Sequence, residues 1–309
     1  MLTRQEMIGP WAGLPVAWDE DFMFDEEVYR ADVERTCKAS VPGVYTAGST
    51  GEFYAMEFDE WQAVTKATVE ECHRHGTPVM IGVTSTYTLG AQRRAAYAAK
   101  VGADAVQATL PFWIELDDRH VVPYFQAVTD ACPGLALTIY ETPRAKKLLT
   151  VEQHRAIFDT VDRYMALKAN PGTIGQTEEG CRQLSEFVNV WVAENEFNRL
   201  GPLGAVGCAS SIVYMNPRVM LHMFDLLVQR KWDELQPWTD MLDLLIKEGR
   251  RPFVAKGYTD TADDRLQSVA VGFLRMNVRS RGPYTSATDK DVRQLRDWME
   301  VHTPELLKL

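Results

Sequence analysis

The chain has no cysteine framework: its five cysteines, at 37, 72, 132, 181 and 208, are odd in number, 27 to 60 residues apart, and form no Cys-x-x-Cys. Free thiols in a reducing compartment are expected instead of a disulfide scaffold. No stretch reaches the roughly 18 consecutive apolar residues that a membrane-spanning helix needs. The opening residues, MLTRQEMIGPWAGLPVAW, contain no cationic segment leading into an apolar one, so no membrane partner is expected and a cytoplasmic protein is. Basic clusters are also missing. Arg93-Arg94, Lys146-Lys147 and Arg250-Arg251 are isolated pairs in a chain with 33 Lys and Arg against 43 Asp and Glu, a net charge of -10. A surface of that sign repels phosphate backbones, which excludes nucleic acid as an expected partner.

What is present suits one large core: 309 residues, 46% hydrophobic and 25% charged. Short apolar segments alternate with longer segments of helical period, the pattern of parallel strands joined by helical crossovers. The expected strands are Gly13 to Trp18, Gly43 to Ala47, Pro78 to Val83, Ala105 to Ala108, Ala136 to Tyr140, Tyr164 to Lys168, Val188 to Ala193 and Ala205 to Cys208. Eight strands close a barrel. An open doubly wound sheet is the other fold considered, but no glycine-rich phosphate turn follows the first strand. Helices are expected at Asp59 to His75, with Asp59 as N-cap, at Thr88 to Val101 and around Pro217 to Gln229. Beyond that the alternation stops, and Trp232 to Gly249, Asp260 to Val278 and Asp289 to Leu306 are expected as helices without strands. The expectation is an α/β fold, a (β/α)8 TIM barrel over 1–229 with a C-terminal helical extension over 230–309. No low-complexity linker precedes the extension, so it is expected to pack on the barrel.

Strand ends at the carboxyl face of such a barrel point into the site. In LALTIY, Leu135, Leu137 and Ile139 share one face, which leaves Tyr140 toward the lumen. By the same alternation YMALK places Met165 and Leu167 outward and Tyr164, Ala166 and Lys168 inward. An ordinary lysine, with a pKa of ~10.4, is neutral in only on the order of one molecule in 2,000 at neutral pH, and desolvation in an apolar barrel is the physical route to a nucleophilic amine. Two readings of Lys168 stay open at this point: a nucleophile, or the cation of an ion pair at the barrel mouth. The second strand runs into Ala47-Gly48-Ser49-Thr50-Gly51-Glu52, where glycines flanking two hydroxyl residues let backbone N–H groups and hydroxyls converge on a small anion such as a carboxylate.

Together, GSTGE after the second strand, IYETPRAKKL at the fifth, YMALKANPGT at the sixth and LGAVGCASS at the eighth resemble the dihydrodipicolinate synthase / N-acetylneuraminate lyase family of class I Schiff-base lyases. The likeness runs from about Leu14 to Arg218. It implies that Lys168 forms an iminium with a 2-oxo acid and Tyr140 shuttles the proton. Gly48, Ser49 and Thr50 would then bind the substrate carboxylate, Val206 and Gly207 close over the imine, and Glu52 brace the loop. No cofactor or metal is implied beyond the covalent Lys168 intermediate, and a homotetramer is. The chain departs from dihydrodipicolinate synthases proper: Ser49-Thr50 replaces Thr-Thr, Trp113 stands where a relay tyrosine follows the fourth strand, and Ala145 occupies an arginine position, with Arg144 one place earlier. Ser-Thr is the N-acetylneuraminate lyase usage, and Glu194-Asn195-Glu196 resembles that branch's hydroxyl-binding segment, with Asn195 and Glu196 as substrate contacts; a solvated acidic turn is its plainer reading. The expected reaction is aldol cleavage or dehydration of a 2-keto-3-deoxy sugar acid or a related hydroxylated 2-oxo acid. Dihydrodipicolinate synthesis, deamination and non-catalytic 2-oxo acid binding are the alternatives. Trp113 is open between pocket wall and subunit contact. Cys72, His73 and His75 end a helix on diverging faces, which argues against a metal there.

Overall fold

A computed structural model describes residues 2–309. Eight parallel strands, β1 (Gly9–Gly13), β2 (Gly43–Thr46), β3 (Val79–Gly82), β4 (Ala105–Ala108), β5 (Ala136–Glu141), β6 (Tyr164–Ala169), β7 (Asn189–Trp191) and β8 (Ala205–Ser210), pair in sequence order, and β1 closes on β8. The helices between them are α1 (Glu26–Lys38), α2 (Phe58–Arg74), α3 (Thr88–Val101), α4 (Val121–Asp130), α5 (Val151–Thr160), α6 (Glu178–Ser185) and the single turn α7 (Phe197–Leu200). After β8 come α8 (Ser211–Met215), α9 (Pro217–Val228), α10 (Trp232–Leu244), α11 (Arg251–Val254), α12 (Asp260–Val271) and α13 (Asp289–His302). The fold is a TIM barrel followed by C-terminal helices.

The first strand lies earlier than Gly13 to Trp18. Residues 9–18 are buried throughout, so no polar alternation marks which part pairs, and the ladder takes Trp11 to Gly13 against Gly43 to Tyr45. The α2 helix is capped by Glu57, without a side-chain hydrogen bond, instead of Asp59. In the extension, α12 stops at Val271, where left-handed Gly272 ends it, so 272–278 is not helical.

The lumen is filled by unequal partners. Trp11 and Trp191, with ring centroids 5.5 Å apart, pack with Tyr45 and Met80 against Ala105, Ala136, Ala166 and Ala209. Large side chains from β1, β2, β3 and β7 thus meet alanines from β4, β5, β6 and β8, and the barrel is a packed core below its site. The carbonyl of Met7 accepts from Trp191 Nε1 at 3.1 Å and from Asn189 Nδ2 at 2.7 Å, which plugs the amino-terminal end. One reversal of the expected pattern occurs in β6. The register shifts between Leu137 and Thr138, so Met165 turns to the lumen cluster while Tyr164 faces out and bonds His154 of α5 at 2.9 Å. Beyond the irregularity the phase is restored, with Ala166 and Lys168 inward.

The extension is stitched to the β1–α2 side. Asp32 of α1 accepts the amides of Arg275 at 2.6 Å and Met276 at 2.9 Å, and Asn277 Nδ2 donates to the Trp18 carbonyl at 2.8 Å. Burial lifts the Asp32 carboxyl to about 6. Gly82 at the end of β3 sets how closely the loop after β2 can pass. A methyl there would stand 2.0 Å from the carbonyl oxygen of Ala47, itself at φ 55. Because the obstructing atom is backbone, Gly82→Ala is expected to cost roughly 3 kcal/mol, seen as a lower urea midpoint, and to displace the 47–52 loop.

Candidate active site

Lys168 sits at the carboxyl end of β6, in register with Tyr140 on β5 and Trp191 on β7. Its Nζ donates to the Tyr45 hydroxyl at 2.8 Å and lies 4.4 Å from the Tyr140 ring centroid and 4.9 Å from that of Tyr45. Among the described residues it makes no ion pair. The amine is held between two phenol rings, and the open end of its cavity, about 310 Å³, is lined by Ser49, Thr50, Glu194, Ser210, Asp260 and Asp264. Tyr45 escaped the sequence reading, although alternation in GVYT puts it inward beside outward Val44. Gly13 leaves room for its ring, which an added methyl would meet at 2.1 Å.

The loop after β2 is a rigid cradle. Left-handed Ala47 and Glu52, at φ 55 and 52, bound it. Glu52 is wholly buried, accepting from Trp18 Nε1 at 2.5 Å and the Arg281 amide at 3.0 Å and pairing with the equally buried Arg265 of α12. The amides of Ser49 and Thr50 make no hydrogen bond among the described residues, so two N–H donors remain at the cavity edge. The Thr50 hydroxyl is occupied, donating to Asp264 Oδ2 at 3.0 Å, and Thr261 Oγ1 donates to the Ser49 carbonyl at 3.3 Å.

The acidic segment after β7 delivers one carboxylate inward, and it is Glu194. Its Oε1 accepts from Ser210 Oγ, and burial pushes its carboxyl up. Asn195 turns instead to Asp243 of α10 at 2.8 Å, and Glu196 pairs with Arg199 at 2.6 Å. The segment is a 3-10 turn, in which consecutive side chains diverge by about 120°, so three adjacent polar residues cannot share one face. Neither Asn195 nor Glu196 lines the Lys168 cavity. Val206 and Gly207 are likewise misplaced by the sequence reading. The β8 strand continues to Ser210, leaving them mid-strand, with Val206 packed on the lumen cluster. The β8 end that borders the amine is Ala209 to Ser211.

The sequence model of the Dihydrodipicolinate synthetase family matches residues 9–298. The chain belongs to that family. Two N-acetylneuraminate lyases are similar to it: one from Escherichia coli, 27% identical over 58% of this chain and 60% of the lyase, and one from Enterobacter sp., 28% identical over 60% and 62%. The chain therefore spans under two thirds of the length of these relatives. Among solved structures, YagE, a prophage protein of the dihydrodipicolinic acid synthase family from E. coli, in complex with pyruvate, superimposes with a TM-score of 0.84 at 18% identity, over 95% of this chain and 98% of that one.

Of the positions where this family member departs from the dihydrodipicolinate synthase pattern, Ser49 and Arg144 border a second cavity. This one, about 430 Å³, abuts the first across Tyr140 and is lined by Gly48, Phe53, Tyr54, Phe112, Arg144 and Tyr284. Arg144 faces it and pairs with Asp260 at 2.6 Å, while Ala145 is buried. Trp113 lines neither cavity. It is 74% exposed on the outer rim, where Lys146 Nζ donates to its carbonyl at 2.5 Å. Among the described residues no group of three or more His, Cys, Asp or Glu side chains is arranged to hold a metal ion. At the end of α2, His73 turns to Asp104 and His75 to Glu71.

Proposed function

We propose that this family member is a class I lyase that captures a 2-oxo acid as a Schiff base on Lys168. The observation that carries the proposal is the lysine amine inside the lumen, seated between Tyr45 and Tyr140 with no carboxylate pairing it among the described residues. Attack by a neutral amine on the keto carbon gives a carbinolamine, and one added proton lets its hydroxyl leave as water, so that an iminium remains, which withdraws electrons from the adjacent carbon and makes its bonds labile. Tyr140 moves the proton in the bond-breaking step. The free amides of Ser49 and Thr50, with the Ser49 hydroxyl and the open turn at Gly48, hold the substrate carboxylate.

The substrate proposed is a 2-keto-3-deoxy sugar acid or a related hydroxylated 2-oxo acid, undergoing aldol cleavage or dehydration. Ser210, Glu194 and Asp260 on the cavity wall supply the hydroxyl partners, in place of Asn195 and Glu196. The N-acetylneuraminate lyases similar to the chain and the pyruvate complex of YagE support a 2-oxo acid. A panel of 2-keto-3-deoxy acids assayed for pyruvate release and for water loss tests this. Turnover of at least one is expected, whereas binding without conversion of any would make the protein a 2-oxo acid binder instead.

Tyr140→Phe separates capture from bond breaking. The variant is expected to retain borohydride trapping of pyruvate at Lys168 while turnover falls by roughly 10²–10⁴-fold, the usual worth of a positioned acid–base group.

A further inference from the structure

Beyond the hydrogen bond that Lys168 gives to Tyr45, further polar side chains follow across the barrel mouth. The Tyr45 hydroxyl stands beside that of Thr50, which in turn donates at 3.0 Å to Asp264 Oδ2. Four parts of the fold converge here: β6, β2, the loop after β2, and α12 of the C-terminal extension. One edge of the Asp264 carboxyl opens on the Lys168 cavity and protein encloses the rest. Carboxylate binding and proton shuttling by Tyr140 give this group no task.

We propose that Lys168, Tyr45, Thr50 and Asp264 form a proton path through which the lysine ammonium is discharged onto the Asp264 carboxylate before it attacks the keto group. The proposal rests on Lys168 being the nucleophile. As an N–H bond of Lys168 breaks, an O–H bond forms on Tyr45. The phenol's original proton passes to the Thr50 oxygen, and the threonine's own proton bonds to Asp264 Oδ2. Ammonium and carboxylate become neutral amine and carboxylic acid. The stored proton returns to the hydroxyl that leaves the carbinolamine as water, so the net change is ammonium plus ketone to iminium plus water.

The surroundings of Asp264 suit a group that must both take and return a proton near neutrality. Burial, then neighbouring Asp260 and Asp263, lift its carboxyl to about 7 against the opposing pull of Arg250 and the Thr50 hydrogen bond. The other groups facing it are the phenols of Tyr45 on β2 and Tyr214 on α8, both pushed up by burial and so neutral. Across the cavity stand Lys168 and Glu194, the latter also raised by burial. Because the path works only when Asp264 is ionised, iminium formation should rise with pH through about 7 and then level off.

The test is the rate of iminium formation with pyruvate, rapidly quenched with cyanoborohydride and counted by mass, across pH. Asp264→Asn preserves shape and an acceptor for Thr50, while Tyr45→Phe cuts the first link and leaves Asp264 in place. The wild type should show an acid limb near pH 7. Both variants should form the adduct on the order of 100-fold more slowly at neutral pH, the gap narrowing as hydroxide becomes available at higher pH. An adduct in the wild type with either variant keeping its pH profile overturns the path alone. No wild-type adduct overturns the nucleophile assignment and the path with it.

Discussion

Glu52→Gln is expected to destabilise the protein by about 3–5 kcal/mol, measured as a fall in urea midpoint at unchanged slope. Glu52 and Arg265 are both fully buried, and among the described residues two of the three guanidinium nitrogens of Arg265 already lack a hydrogen-bond partner. Removing the carboxylate charge leaves that guanidinium uncompensated in a low-dielectric interior, which costs far more than the pair contributes over an apolar replacement. The double variant Glu52→Leu with Arg265→Met should accordingly recover much of the loss, and a cycle built from the two singles and the double reads the coupling directly. The consequence reaches the site as well. Glu52 fixes the left-handed end of the loop that carries Ser49 and Thr50, so Glu52→Gln should also weaken pyruvate capture.

Lys168→Ala should behave in the opposite manner. Turnover is expected to fall by at least roughly 10⁴-fold, as when a covalent nucleophile is removed elsewhere. Stability should change little, because among the described residues the Lys168 side chain makes one hydrogen bond, to Tyr45, and no ion pair. Loss of activity with an intact urea transition separates a chemical role from a structural one. Destabilisation on the scale of Glu52→Gln would mark Lys168 as a packing residue instead.

Much of the barrel was legible because its strands carry the period they need. Leu135, Leu137 and Ile139 announce the outer face of β5, and Tyr140 and Lys168 follow from strand phase at adjacent strand ends. The phase argument failed at Tyr164, since a register shift between Leu137 and Thr138 is a cross-strand property that one segment does not encode. It failed at β1 for a different reason. A segment buried on every side loses the polar marks that fix where pairing begins.

The site was legible where it is local and opaque where it is assembled from afar. GSTGE is a contiguous turn, and its crowding with Glu52 can be anticipated. The Glu52–Arg265 pair and the Thr50–Asp264 bond each join residues more than 210 positions apart, through a helix that the sequence offers only as an amphipathic extension. Glu194 was hidden in a run of three polar residues until the geometry of a 3-10 turn selected it. Tyr45 alone was within reach, since the alternation that places Tyr140 inward also applies to GVYT.

The assigned function requires the Lys168 amine to be a nucleophile. Incubation with pyruvate, reduction with borohydride and peptide-resolved mass spectrometry decide it. The account predicts one stable adduct, on the peptide containing Lys168 and absent from Lys168→Ala. An unmodified Lys168 in protein that turns over a 2-oxo acid, or an adduct confined to another lysine, would contradict it.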